Sequence, residues 1–341
     1  YLTDLMAQSL TDPGVRRQFI NEFILEGGPL AQHHSQALAE LLLGIGDTKA
    51  MVEKTMAGVT DQEAGLRPAQ PLTSLARYET RFLLDPIPNL YFTRDPFSVI
   101  RNGVAFSHML APARQRETIY GRYIMAHHPE YAGGITSWYS PDIPYSLEGG
   151  DILVVGGGLL CVGISQRTDP EAIEILGRRM IRDPQSGIRR ILAMDIPNIR
   201  AYMHLDTVFT QVDRHVFTVH PGILPVLRCF LLEGKGGDVF AREMKGTLAE
   251  ILACAMGVPR VTLILCGGQD MIASQREQWN DGSNTLCVRP GTVIVYDRNK
   301  VTNRILRDHG INTIEVAGSE LARGRGGPRC MSMPLRRDGV E

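Results

Sequence analysis

The sequence predicts an α/β protein made of repeated β-β-α-β units, with a helical segment ahead of them. Three observations lead there. The first 76 or so residues carry helical periodicity and little strand signal. From about residue 85, hairpin patterns recur, each followed by a helical run and often by a further short strand. A polar or charged cluster precedes every hairpin. Repetition at this scale points to radial or stacked packing of like units.

The elements follow in chain order. In "TDPGVRRQFINEFILEGG", Asp12 is placed to cap the first turn, and Pro13 suits the first helical position, where no N–H is needed. Val15, Phe19, Ile20, Phe23 and Ile24 share a face, and Gly27 and Gly28 end the run. "SQALAELLLGI" and "DTKAMVEKTMAG" repeat that spacing. "FSVIRNGVAFSHM" is the first hairpin, with Asn102-Gly103 as its tight turn. "DILVVGGGLLCVGIS" is the second, turning at Gly156 to Gly158, with the helix "DPEAIEILGRRMI" and the strand "RRILAMDI" after it. "DTVFTQVDRHVFTVHP" is the third, followed by "TLAEILACAMG" and "VTLILCG". "NTLCVRPGTVIVY" is the fourth, followed by "KVTNRILRDHG" and "NTIEVAG". "MSMPL" reads as a last strand.

Bulk properties narrow the function. The chain has 341 residues, 43% hydrophobic and 21% charged, as in soluble globular proteins. A net charge of -1 without a long basic run argues against nucleic acid or an anionic membrane as partner. No apolar run approaches the roughly 20 residues that span a bilayer. Of the six cysteines, none forms a C-x-x-C pair, so zinc and thioredoxin-like chemistry lack their usual spacing. Five of them lie in apolar contexts that suit core packing, and a reducing cytoplasm fits. "GGGLLCVG" and "EGKGGD" lack the spacing of phosphate-binding loops. The doublets His33-His34 and His127-His128 lack metal-ligand spacing and read as surface residues.

The clusters that precede the hairpins carry the chemistry. They are "FTRDP", "LEGGD", "MHLDT" and "WNDGSN", and "GGPRC" precedes the last strand. If the units circle an axis, equivalent positions meet at one end of it, and Asp95, Glu148, His204, Asp206 and Cys330 converge. His204 and Asp206 are two apart, which in an extended segment puts both on one face. A cationic neighbourhood lowers a thiol pKa, and Arg323, Arg325 and Arg329 precede Cys330. Three carboxylates beside a thiol work the other way, opposing its ionisation. They make sense if the substrate is itself a cation. A guanidinium is planar, carries donor N–H groups and matches carboxylates in fork geometry.

With these residues in view, the sequence resembles the arginine deiminases. The matching pieces are "NLYFTRDP", "LEGGD", "MHLDTVFT" and "RGRGGPRCMSMPLRRD", in the family's order, and they cover the chain from about residue 77 to its end. The resemblance implies a five-bladed pseudo-symmetric α/β-propeller of ββαβ units over 77–341, with a helical domain over 1–76 that is inserted in the family. It implies hydrolysis of L-arginine to L-citrulline and ammonia. Cys330 would attack the guanidinium carbon, with His204 as general acid and base. Asp95 and Asp206 would bind the guanidinium nitrogens, and Glu148 would help hold it beside the histidine. Asn89 and Phe92 match pocket-lining positions. Arg114, Arg167 and Arg325 match positions that contact the substrate's carboxylate end, and Gly327 a backbone contact before the cysteine. The arginine run then serves recognition more than thiol activation, mainly through Arg325. No cofactor and no metal are expected, and the partner is a small molecule, L-arginine, in a cytoplasmic homo-oligomer. The family begins with an acidic "FDD"-type strand segment that has no counterpart here, so an incomplete first blade is expected.

Two other readings stand beside this one. An amidinotransferase or a dimethylarginine hydrolase would share the propeller and a Cys-His-acid site, but "GRGGPRCMSMPL" and the helical insertion favour the deiminase. A non-catalytic arginine-binding protein could keep the fold, but Cys330, His204 and Glu148 are all present.

Overall fold

A computed structural model of the chain describes residues 1–66, 81–236 and 238–337. The chain divides into two compact units, Tyr1–Leu90 with Ala111–Ile135, and Tyr91–Leu110 with Thr136–Glu341. The boundary expected between residues 76 and 77 lies outside the described residues.

The first unit holds helices α1 (Leu2–Ser9), α2 (Pro13–Leu25), α3 (Pro29–His33), α4 (Ser35–Gly44), α5 (Thr48–Ala57) and α6 (Glu117–His127). A short antiparallel pair, β1 (Val59–Thr60) and β2 (Phe82–Leu84), accompanies them. Asp12 caps α2 as expected, its carboxylate accepting from the Gly14 and Val15 N–H groups at 2.8 and 2.9 Å. The apolar face of α2 meets α6, where Phe23 lies edge-on to Tyr120 with ring centroids 5.8 Å apart. The Tyr120 hydroxyl, buried with its ring, bonds Thr55 Oγ1 at 3.0 Å. One histidine departs from the surface expectation. His128 is buried, its Nε2 2.6 Å from Gln8 Oε1, and its Nδ1 accepts from the Glu130 N–H.

The second unit repeats one motif four times: an antiparallel hairpin whose second strand gains a parallel third strand. The sets are β3 (Phe97–Ile100), β4 (Gly103–Phe106) and β5 (Thr136–Tyr139); β6 (Ile152–Gly156), β7 (Leu159–Ile164) and β8 (Arg190–Asp195); β9 (Phe209–Asp213), β10 (Val216–Val219) and β13 (Thr262–Leu265); and β14 (Leu286–Arg289), β15 (Thr292–Tyr296) and β16 (Asn312–Val316). The remaining helices are α7 (Pro170–Arg182), α8 (Leu248–Met256), α9 (Met271–Trp279) and α10 (Lys300–Asp308). The β8 strand is buried on both faces. Ile191 and Ala193 enter one apolar cluster, and Leu192 and Met194 enter another.

Four details differ from the sequence expectation. The first tight turn is Arg101-Asn102, since Ile100 pairs with Gly103. Gly103 belongs to the strand, where it pairs with Thr136 so closely that a Cβ would lie 2.3 Å from the Thr136 carbonyl oxygen. A second hairpin, β11 (Arg228–Lys235) and β12 (Asp238–Met244), is inserted in the third unit and pairs with β8. The second sheet thus has five strands in the order β12-β11-β8-β7-β6. "MSMPL" forms no strand: nothing pairs with it among the described residues, and Pro334 offers no N–H. Of the five cysteines expected in the core, Cys161, Cys229 and Cys266 are buried, while Cys254 and Cys287 are exposed. No helix among the described residues is long and apolar enough to cross a membrane.

Candidate active site

Residues leading into the sheets of the second unit come together. Asp95 lies just before β3. Glu148 precedes the one-turn 3-10 helix Gly149–Asp151 that opens into β6. His204 precedes a second such turn, Leu205–Thr207, that leads to β9. The "HLDT" segment is therefore a tight turn, not the extended stretch expected. Asp151 Oδ1 accepts the Leu205 N–H at 2.7 Å, and Thr207 Oγ1 donates to the His204 carbonyl at 2.7 Å. The turn sends its two side chains to different partners.

His204 Nε2 lies 2.8 Å from Glu148 Oε2, and its Nδ1 lies 3.9 Å from Asp95 Oδ1. Gly150 leaves room for the ring, since a Cβ there would come within 2.6 Å of it. Glu148 is fully buried and also accepts the Leu110 N–H at 3.1 Å. The imidazole is buried, which opposes protonation. The Asp95 charge, the Glu148 hydrogen bond and the Asp151 charge outweigh that and raise its pKa from 6.5 to about 10. Such a group stabilises the fold fully below its unfolded pKa of 6.5 and loses that contribution as pH rises through about 10. Scanning calorimetry between these limits should therefore show a steeper loss of stability in the natural protein than in His204→Gln. Equal slopes would refute this ionisation state.

Cys330 Sγ lies 3.7 Å from Asp206 Oδ2, and both residues are buried. Burial first, then the charges of Asp206, Asp95 and Asp281, hold the thiol pKa well above its ordinary value, while a hydrogen bond from the Gly327 backbone lowers it. Asp206 Oδ2 also accepts Arg329 Nη1 at 2.6 Å, and Asp206 Oδ1 is buried without a hydrogen-bond partner among the described residues. Thus one of the three arginines before the cysteine does enter the site, and it is Arg329. Arg323 is exposed and pairs with Glu320.

The remaining expected residues divide. Arg167 Nη1 stands 3.6 Å from Glu148 Oε1. The Arg325 guanidinium carbon sits over Trp279, 3.6 Å from the ring centroid. Its Nε and Nη1 are buried with no hydrogen-bond partner among the described residues. Phe92 is buried against the loop before the cysteine, and a Cβ on Gly326 would reach within 2.1 Å of its ring. Gly327 abuts Asn284, leaving no space for a side chain. Asn89 and Arg114 belong to the first unit, where Arg114 is buried and forks onto Glu117 at 2.7 and 2.9 Å.

Sequence reasoning missed Asp151, Asp281 and Asn284, and it set Arg329 beside the thiol without its partner Asp206. Asp151 is fully buried and takes bonds from Ser165, Thr168 and Leu205, tying the second hairpin's approach to the third's. Burial pushes Asp281 up to about 7, the Arg325 charge pulling against it. Asp281 and Asn284 lie in "WNDGSN", which the repeat pattern singles out, although it does not say which of its residues matters.

Asp95, Glu148 and His204 each offer one atom within 4.8 Å of the others, a spacing that suits a cation. The two carboxylates among them also suit a planar organic cation.

A family model described as arginine deiminase matches residues 1–337. Arginine deiminases of Streptococcus agalactiae serotype V and Streptococcus sanguinis are each 49% identical, over 340 and 342 residues. These alignments cover 99% and 100% of this chain and 83% of each relative. Among solved structures, the N-terminal domain of ArgZ, an arginine dihydrolase from cyanobacteria, superposes with a TM-score of 0.52 at 16% identity, over 72% of this chain and 75% of that one. Unliganded AgrE gives 0.53 at 18% identity, over 73% of this chain and 31% of that one. At such identities the superpositions show a shared mixed α/β fold. The family match along nearly the whole sequence shows that this chain belongs to the arginine deiminase family.

Proposed function

We propose that the chain hydrolyses L-arginine to L-citrulline and ammonia through a covalent intermediate on Cys330. One observation carries the reading. The Cys330 thiol lies buried 3.7 Å from Asp206 Oδ2, and burial, then the charges of Asp206, Asp95 and Asp281, hold its pKa well above the ordinary value. A bound guanidinium offsets those charges. The thiol proton then passes to Asp206, its acceptor at 3.7 Å, as sulfur bonds to the guanidinium carbon. Protonated His204 gives its proton to one nitrogen, the C–N bond breaks and ammonia leaves. A thiouronium cation remains on the enzyme. Neutral His204 next takes a proton from water while the oxygen adds to that carbon. The C–S bond breaks as the adduct's hydroxyl proton leaves to solvent, matching the ammonia that left neutral; Asp206 returns its proton to sulfur, and citrulline departs.

In this reading Asp95 and Asp206 grip the guanidinium, Glu148 orients His204, and Arg325 and Arg167 meet the substrate's carboxylate. Phe92 and Gly327 shape the wall of the pocket. The four hairpin-and-parallel-strand sheets are blades of a five-bladed pseudo-symmetric α/β-propeller. The proposed setting is a cytoplasmic homo-oligomer without nucleic-acid or membrane partners, and the net charge of -1 supports the last point.

With L-arginine alone, ammonia and citrulline should appear in equal amounts. A requirement for an amine acceptor would favour an amidinotransferase. Turnover confined to methylated arginine would favour a dimethylarginine hydrolase. Binding of arginine without turnover would leave a binding protein.

A further inference from the structure

We propose that Asn284 is a positioning residue that locks the backbone of Cys330 to that of Asp206; the inference rests on the arginine-hydrolysing reading above. Asn284 is fully buried. Its Nδ2 donates to the Asp206 carbonyl oxygen at 3.0 Å, and its Oδ1 accepts the Cys330 N–H at 3.1 Å. One planar amide thus spends its donor end on one reacting segment and its acceptor end on the other. The amide is fixed in turn. The Asn284 N–H donates to the Asp281 carbonyl at 3.0 Å, and a Cβ on Gly327 would come within 2.5 Å of Asn284 Oδ1.

The far side of Cys330 is held too. Its carbonyl accepts the Arg94 N–H at 3.1 Å, and Arg94 Nε donates to the Arg329 carbonyl at 3.2 Å. The chain before Cys330 contains Gly324, Gly326 and Gly327, and Arg325 sits at φ 59°. Such a stretch has little stiffness of its own and needs external ties. The Arg329 guanidinium reaches the Asp206 carboxylate, and Asn284 supplies the tie that joins the Cys330 backbone to the Asp206 backbone. In the reaction the guanidinium carbon must sit over Sγ while its nitrogens reach Asp206. The spacing of these two residues therefore sets the attack geometry, and a misplacement of about 1 Å can cost roughly 10²-fold in rate.

Two variants test this. Asn284→Ala removes both bonds. Asn284→Asp has the same shape and keeps the acceptor for the Cys330 N–H, but it lacks the donor for Asp206 and adds charge beside the thiol. Each should lower kcat by about 10²-fold with KM within about threefold. In Asn284→Asp the pH midpoint for iodoacetamide labelling of Cys330, read by mass spectrometry without substrate, should move upward. The inference is overturned if kcat in both variants stays within about threefold, or if the loss lies in KM alone. An unmoved labelling midpoint in Asn284→Asp also overturns it. If Asn284→Ala does not fold, the isosteric variant decides. The labelling needs no turnover, so an inactive natural protein would refute the arginine reading without removing this test.

Discussion

Cys330→Ser is expected to abolish citrulline formation while L-arginine still binds. The serine hydroxyl would replace Sγ, which lies 3.7 Å from Asp206 Oδ2, among the same carboxylates. Those carboxylates oppose ionisation of an alcohol even more than of a thiol, because the alcohol starts from a far higher pKa. A neutral hydroxyl is a poor nucleophile towards a resonance-stabilised guanidinium carbon, and no thiouronium can form. Loss of a nucleophile typically costs on the order of 10⁴-fold or more in kcat. Binding should persist because Asp95, Asp206 and Glu148 remain. Citrulline release and calorimetric titration with arginine measure the two halves separately. Near-normal turnover in the serine variant would remove Cys330 from the chemistry.

Much of this site was legible because the chain repeats itself. Hairpins recur at recognisable intervals, and residues just ahead of them converge. His204, Glu148 and Asp95 were read this way, and the His204 imidazole stands 2.8 Å from Glu148 and 3.9 Å from Asp95. What stayed hidden depends on backbone partners far away in sequence. Asn284 meets Cys330 across 46 residues and Asp206 across 78, and Asp151 meets Leu205 across 54. No local pattern encodes such bonds.

The arginines show the same limit. Arg325 and Arg329 stand in one short run, and charge alone cannot separate them. Arg325 has a left-handed backbone and stacks on Trp279, while Arg329 reaches Asp206. The fold has a similar blind spot in α6, which follows the first hairpin in sequence yet belongs to the helical unit. Tyr120 and Tyr123 explain it, since both pack against Phe19, with ring centroids 5.9 and 5.2 Å away. That contact reaches back a hundred residues and leaves no periodic trace.

Arginine should be preferred over agmatine, its decarboxylated analogue, by roughly 10⁴-fold in kcat/KM. The reacting end is the same in both, so Cys330, His204 and the carboxylates cannot tell them apart. The difference falls on Arg325, whose Nε and Nη1 are buried and have no hydrogen-bond partner among the described residues. Trp279 lies 3.6 Å from the guanidinium carbon and gives Nε and Nη1 no acceptor. A carboxylate gives such donors a charge-assisted acceptor, and agmatine has none to offer. Buried polar groups left unpaired are what make such a site reject an analogue so strongly. Contacts at this remote end also help place the guanidinium carbon over sulfur, so kcat should fall along with KM. Arg325→Ala should erode the preference mainly by slowing arginine, with agmatine turnover changing little. If agmatine is used within about tenfold of arginine, the site is a broader guanidine hydrolase; if the preference survives Arg325→Ala, the carboxylate is recognised by a group other than Arg325.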